Sequence, residues 1–135
     1  MDEKFMREAV KEAEKALKFQ EIPVGCVVVK DGKILSRAYN RKNETGIAID
    51  HAEILAIKKA CQVLGDWRLN DCKLYVTLEP CKMCYGAIEE SRISEIIIGA
   101  EQNTIINYTC KVSKGCLANK CSHLLKEFFD DLRNR

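Results

Sequence analysis

The chain has 135 residues, a length that suits one compact domain covering 1–135. Hydrophobic residues make up 47% and charged residues 31%, which excludes a disordered or fibrous protein. The 22 basic and 20 acidic side chains leave a net charge of +2, too little to mark a nucleic-acid binder by field alone, and no apolar run approaches the roughly 20 residues of a membrane span.

The first element is a helix from about Asp2 to Gln20, with Met6, Val10, Ala13 and Leu17 at helical spacing and Lys and Glu on the other faces. Pro23 stops it. Val24–Val29 is a short apolar strand, Asp31-Gly32 a hairpin turn, and Ile34–Tyr39 the return strand. Asn40–Asp50 is polar and aperiodic, so a loop. His51–Leu64 is helical and stops at Gly65. Trp67 is expected to pack under the loop before the next strand, Leu74–Leu78; stacking on a base is its other use. Pro80 suits the first turn of a helix from about Cys81 to Ser91. Glu95–Gly99 is a strand, Tyr108–Val112 a possible fifth, and a last helix carries Leu117, Cys121, Leu124, Phe128 and Leu132 on one stripe. A hairpin followed by strand–helix–strand units implies an α/β fold, a mixed sheet with helices on its faces.

There are eight cysteines. The charged, amphipathic start is unlike a secretory signal, so a reducing cytoplasm is expected, where cysteines pack, react or bind metal. Cys26, Cys61 and Cys121 fall on apolar stripes and are expected in the core. Cys116, Cys121 and His123 are close in sequence, but two residues along a helix turns His123 away from Cys121. Glu79 is expected to anchor a loop.

His51-Ala-Glu53 opens one helix and Pro80-Cys-Lys-Met-Cys84 the next. Cys81 and Cys84, three apart, share a helix face. A helix N-terminus favours negative charge and lowers a thiol pKa, which would prepare both as thiolates. With His51 they make three N/S ligands and leave a fourth position open, the pattern of catalytic zinc. Zinc lowers the pKa of a bound water to about 7. Glu53, two residues past His51, is placed to take the proton, pass it to a ring nitrogen and help protonate departing ammonia. H-x-E…P-C-x-x-C is the established signature of zinc nucleobase deaminases, and this chain contains it literally. Other readings stay open: a redox dithiol, a structural zinc site completed by Cys72 or Cys110, or Glu53 as a solvated charge.

Beyond that signature the chain resembles the bacterial tRNA-specific adenosine deaminases, within the zinc-dependent cytidine/deoxycytidylate deaminases. The resemblance rests on Ile22-Pro-Val-Gly25, Ala38-Tyr-Asn-Arg41, His51-Ala-Glu-Ile54, Trp67-Arg-Leu69, the unbroken Leu74–Cys84 block, Ser91-Arg-Ile93, Gly99-Ala100 and Phe128-Phe129. It implies a three-layer α-β-α cytidine-deaminase-like fold with a mixed sheet of about five strands. It implies one Zn²⁺ per chain on His51, Cys81 and Cys84, Glu53 as proton shuttle, Asn40 bonded to the flipped-out base, and a homodimer. The implied reaction is hydrolytic deamination of adenosine to inosine at the wobble position of a tRNA anticodon loop, with zinc-bound hydroxide attacking C6. Three features depart from the family pattern: Ile47-Ala-Ile-Asp50 before His51, a shortened loop after Gly99-Ala100, and a short basic tail at Arg133-Asn-Arg135. The altered loops motivate, as an alternative, a deaminase of a small nucleobase or nucleoside (guanine, cytosine or cytidine); a zinc-bearing interaction subunit without catalysis is a further alternative, against which the intact Glu53 argues. Arg41, Lys42, Lys111, Lys114, Lys120 and Arg133 could form a local basic patch for RNA.

Overall fold

The computed structural model describes residues 2–134. In chain order the elements are α1 (Glu3–Lys18), β1 (Gly25–Lys30), β2 (Lys33–Tyr39), α2 (Lys42–Thr45), α3 (Ala52–Leu64), β3 (Cys72–Leu78), α4 (Lys82–Glu90), β4 (Glu95–Ala100), β5 (Lys111–Lys114) and α5 (Ala118–Arg133). The strands form one sheet in the order β2-β1-β3-β4-β5. β1 is antiparallel to β2 and β3, while β3–β4 and β4–β5 are parallel. The β1–β2 turn is tight because Asp31 and Gly32 both take positive φ, 51° and 74°, the twist that suits a two-residue hairpin.

Strand side chains alternate between two apolar layers. Cys26, Val28, Ile96 and Ile98 face Ala56, Ile57 and Ile88 of α3 and α4. Val27, Val29, Tyr75 and Ile97 face Met6 and Val10 of α1 and Leu124 of α5. Burial on both faces explains the unbroken runs Val27–Val29 and Ile96–Ile98. The fold is thus the expected three-layer α/β/α sandwich.

Several expectations need correcting. The polar loop after Tyr39 holds a short helix, α2, because the buried carboxylate of Glu21 accepts the backbone N–H of Asn43 (3.0 Å) and Glu44 (2.6 Å). Pro80 lies outside its helix: Cys81 is the N-cap, and Pro80 precedes it. β5 starts at Lys111, opposite Glu95, because Tyr108 and Thr109 are bonded elsewhere. Trp67 is 51% exposed, with the Arg68 and Arg92 guanidinium groups 4.5 and 5.8 Å from its ring, and does not pack under a loop. The α5 stripe is buried only at Cys121 and Leu124; Leu132 remains exposed.

The α1 layer meets the sheet most closely at Gly25. A Cβ there would stand 1.9 Å from the Ala9 carbonyl oxygen and 2.5 Å from the Ala13 nitrogen, both backbone. Gly25 also donates its N–H to Thr77 Oγ1 at 3.1 Å, tying β1 to β3 just before the site. Gly25→Ala therefore has to push α1 off the sheet. The expected loss is about 3 kcal/mol, read as a lower urea midpoint; an unchanged midpoint contradicts this packing.

Candidate metal centre and active site

The C-terminal end of β3 and the starts of α3 and α4 meet at one place. His51 and Cys81 are the N-cap residues of those two helices. Both have extended backbones, with φ −74° and ψ 154° at His51 and φ −73° and ψ 171° at Cys81. Each backbone carbonyl accepts the first helical bond, from Leu55 at 3.1 Å and Tyr85 at 2.9 Å. Neither side chain caps its helix, unlike the usual N-cap residue. Both are therefore left for other work. Cys84, in the first turn of α4, turns back to the same point.

His51 Nδ1 lies 3.3 Å from Cys84 Sγ and 3.7 Å from Cys81 Sγ. The three atoms lie within 4.8 Å of one another. An imidazole nitrogen and two sulfurs are zinc's preferred donors, and three of them fit a site with an open fourth position. Among the described residues this is the one such group, so Cys72 and Cys110 do not complete a closed site. The second cluster considered in the sequence does not form. His123 is exposed, and Cys121 packs where a Cβ on Gly99 would touch its sulfur at 2.5 Å.

The electrostatics set the roles apart. Burial lowers the His51 pKa, helped by the Lys42 charge, so the ring is neutral and its Nδ1 can ligate. Burial pushes the Cys84 thiol well up, and the neighbouring Glu53 and Cys81 push it further. The helix N-terminus does not by itself make this thiol a thiolate; a bound cation has to. Glu53 is 4% exposed, and burial raises its carboxyl to about 7 against bonds from its own backbone N–H and the Cys84 thiol.

A cavity of about 240 Å³ opens over this cluster. Its wall includes His51, Cys81, Glu53, Asn40, Glu79 and Gln102. Asn40 has local duties as well: its Oδ1 accepts Lys42 N–H at 3.2 Å and its Nδ2 donates to the Ile22 carbonyl at 3.2 Å. One amide N–H is left over for the cavity. Sequence reasoning did not find Glu21 and Gln102, which sit in aperiodic stretches and carry no motif. Of the basic residues considered for RNA, Lys42 lines the cavity, while Arg41 pairs with Glu44, Lys114 with Glu79 and Glu101, and Arg133 with Asp130.

Fold and site together define a zinc-dependent deaminase of nucleobases. Residues 1–100 match the family model of the cytidine and deoxycytidylate deaminase zinc-binding region, and this chain belongs to that family. Within it, a tRNA-specific adenosine deaminase of Streptococcus pyogenes is 43% identical, covering 97% of this chain and 91% of its own. That alignment runs over 145 positions, more than the 135 residues here, in keeping with a shortened loop. A solved structure from work on A-to-I editing by tRNA A34 deaminases at the wobble position has a TM-score of 0.86 at 35% identity, covering 90% of this chain and 98% of that one. A guanine deaminase structure from Bacillus subtilis has a TM-score of 0.71 at 41% identity, covering 75% of this chain and 65% of that one. Among the described residues no helix is long and apolar enough to cross a membrane.

Two outcomes follow from this site. Metal analysis of the purified protein should find about one zinc per chain, lost in Cys81→Ala and Cys84→Ala; retention in both variants contradicts the assignment. In protein stripped of metal, Glu53 binds its proton more tightly folded than unfolded, since its pKa rises from 4.5 to about 7. Its contribution is fully present below pH 4.5 and is lost as pH rises through 7, about 3 kcal/mol in all. Urea titrations of the stripped protein should show that fall, and Glu53→Gln should remove it.

Proposed function

We propose that this protein deaminates adenosine to inosine at the wobble position of tRNA, with His51, Cys81 and Cys84 as zinc ligands, Glu53 as the catalytic proton carrier and Asn40 as a base-binding residue. The observation that carries the reading is the buried Glu53 carboxylate beside the His51–Cys81–Cys84 group, at the floor of a cavity with room for one base. The near full-length relatives supply the substrate class.

Zinc at this site supplies Lewis-acid activation of water. Glu53 accepts the proton released from that water and delivers it to a ring nitrogen of the base. It then takes the remaining proton of the added water from the new C6 hydroxyl and passes it to the amine as the C6–N bond breaks, so that ammonia leaves and the C6 oxygen becomes a carbonyl. Because Glu53 is buried, the proton it takes passes to the base and not to bulk water. Asn40 is held by its bonds to Ile22 and Lys42, which orients its remaining N–H toward the base. Lys42, also in the cavity wall, offers a cation to a phosphate beside the base. A cavity this small excludes a duplex and takes a base already out of its stack, as in an anticodon loop.

The chain acts as a single domain over 1–135, in the cytoplasm, as a homodimer. Exposed Ile47, Ile49 and Met83 support the dimer: they flank the two helix starts, where water-facing apolar side chains favour a partner surface. The second reading, deamination of a free base, is favoured by the identity to the guanine deaminase.

One activity panel separates them. Purified protein should form inosine in tRNA carrying A at the wobble position and leave free guanine, cytosine, cytidine and adenosine unchanged. Ammonia from guanine with unmodified tRNA overturns the first reading in favour of the second. Glu53→Gln should keep its zinc and lose about 10²- to 10⁴-fold in kcat; full activity removes Glu53 from the mechanism.

A further inference from the structure

Residues 101–110, between β4 and β5, have no regular secondary structure, yet they are fastened at two places. Glu79 is 2% exposed and holds the segment with both carboxylate oxygens. Oε1 accepts the backbone N–H of Gln102 at 3.2 Å, and Oε2 accepts the Tyr108 hydroxyl at 2.6 Å. The Lys114 ammonium stands 3.2 Å from Oε2. The second fastening comes from α4. Thr109 donates its N–H to Tyr85 OH at 2.7 Å and its hydroxyl to Glu89 at 2.8 Å, while the Tyr85 and Tyr108 rings meet edge to face at 5.0 Å.

One end of this strap reaches the site. Glu79 and Gln102 both line the cavity beside Cys81 and Glu53. The Gln102 carboxamide donates one N–H to the Glu79 carbonyl, which fixes the plane of the amide. Among the described residues nothing else bonds its Oε1, so an acceptor and one N–H remain at the cavity wall. A buried carboxylate needs partners to stay charged, and all of those at Glu79 are donors from the strap or from β5 beyond it. Replacing one carboxylate oxygen by a donor breaks the bond to Gln102 N–H or to Tyr108 OH and loosens the strap.

We propose that Glu79 is a positioning residue and Gln102 a substrate-binding one: Glu79 holds the strap so that the Gln102 amide hydrogen-bonds the nucleotide bearing the reacting base. This rests on the function proposed above and adds a residue to it. The contact acts on binding, since neither residue touches the atoms that exchange protons with Glu53.

The test is steady-state kinetics on an anticodon stem-loop with Gln102→Ala, Glu79→Gln and the double variant, together with zinc content. Each single change should raise KM roughly tenfold, with kcat within about twofold and zinc unchanged. The double variant should be no worse than either, because both remove the same contact. An unchanged KM in Gln102→Ala, or effects that multiply in the double variant, overturns the proposal. A purely structural Glu79 would lower the melting temperature and leave KM alone. If Glu79→Gln does not fold, Tyr108→Phe takes its place and should raise KM and speed hydrogen exchange at the Gln102 amide; no change in either overturns the proposal. If the wild-type protein turns over a free base and not the stem-loop, the functional reading fails while this one is still tested, by the KM of Gln102→Ala on that base.

Discussion

Two helix starts must deliver three ligand atoms to one point, and the rest of the molecule is arranged around that requirement. The three atoms lie within 4.8 Å, yet they come from segments thirty residues apart in sequence. The residues that begin α3 and α4 supply two of them, with side chains free of capping duty. The helix starts are held by the sheet: β3 lies between β1 and β4, and Gly25 lets α1 sit directly on β1. Lys73↔Glu95 to Leu78↔Ala100 pair in parallel, so β3 and β4 end at the same level, where the cavity opens. Metal affinity here is therefore also a matter of sheet register.

The same crowding sets the chemistry. Glu53 is shut away from water beside the ligands, and that burial makes its carboxyl hold a proton up to about 7. His51 is affected in the opposite sense, since burial keeps a cationic acid deprotonated. In the metal-free protein one environment thus keeps an imidazole neutral and a carboxyl protonated. The polar walls of the cavity are built on buried carboxylates, Glu21 holding α2 and Glu79 holding the segment after β4. Two loops without a core of their own are in this way fixed beside the metal centre.

The grouping of His51, Cys81 and Cys84, with Glu53 buried beside them, was legible in the sequence because metal chemistry demands particular residue types at fixed offsets. The sheet order was legible only as a class, since the doubly buried runs Val27–Val29 and Ile96–Ile98 identify strands without naming neighbours. Asn40 was singled out by resemblance, and the structure shows it in the cavity wall with local bonds to Ile22 and Lys42. α2 was missed because it depends on Glu21, some twenty residues away, and not on local propensity. Trp67 was misplaced because its motif says nothing of exposure; its ring is half exposed, with the Arg68 and Arg92 guanidinium groups beside it. The Cys84 thiol was misjudged because a helix N-terminus was weighed without the burial that outweighs it.

A zinc site built on His51, Cys81 and Cys84 has three protein ligands and one open position. X-ray absorption at the zinc edge of the purified protein reads this directly. The expected shell is two sulfurs at about 2.3 Å and two nitrogen or oxygen neighbours at about 2.0 to 2.1 Å, one from His51 and one exchangeable with solvent. A shell of three or four sulfurs would mean a closed structural site, with no place for a reacting water, and would contradict it.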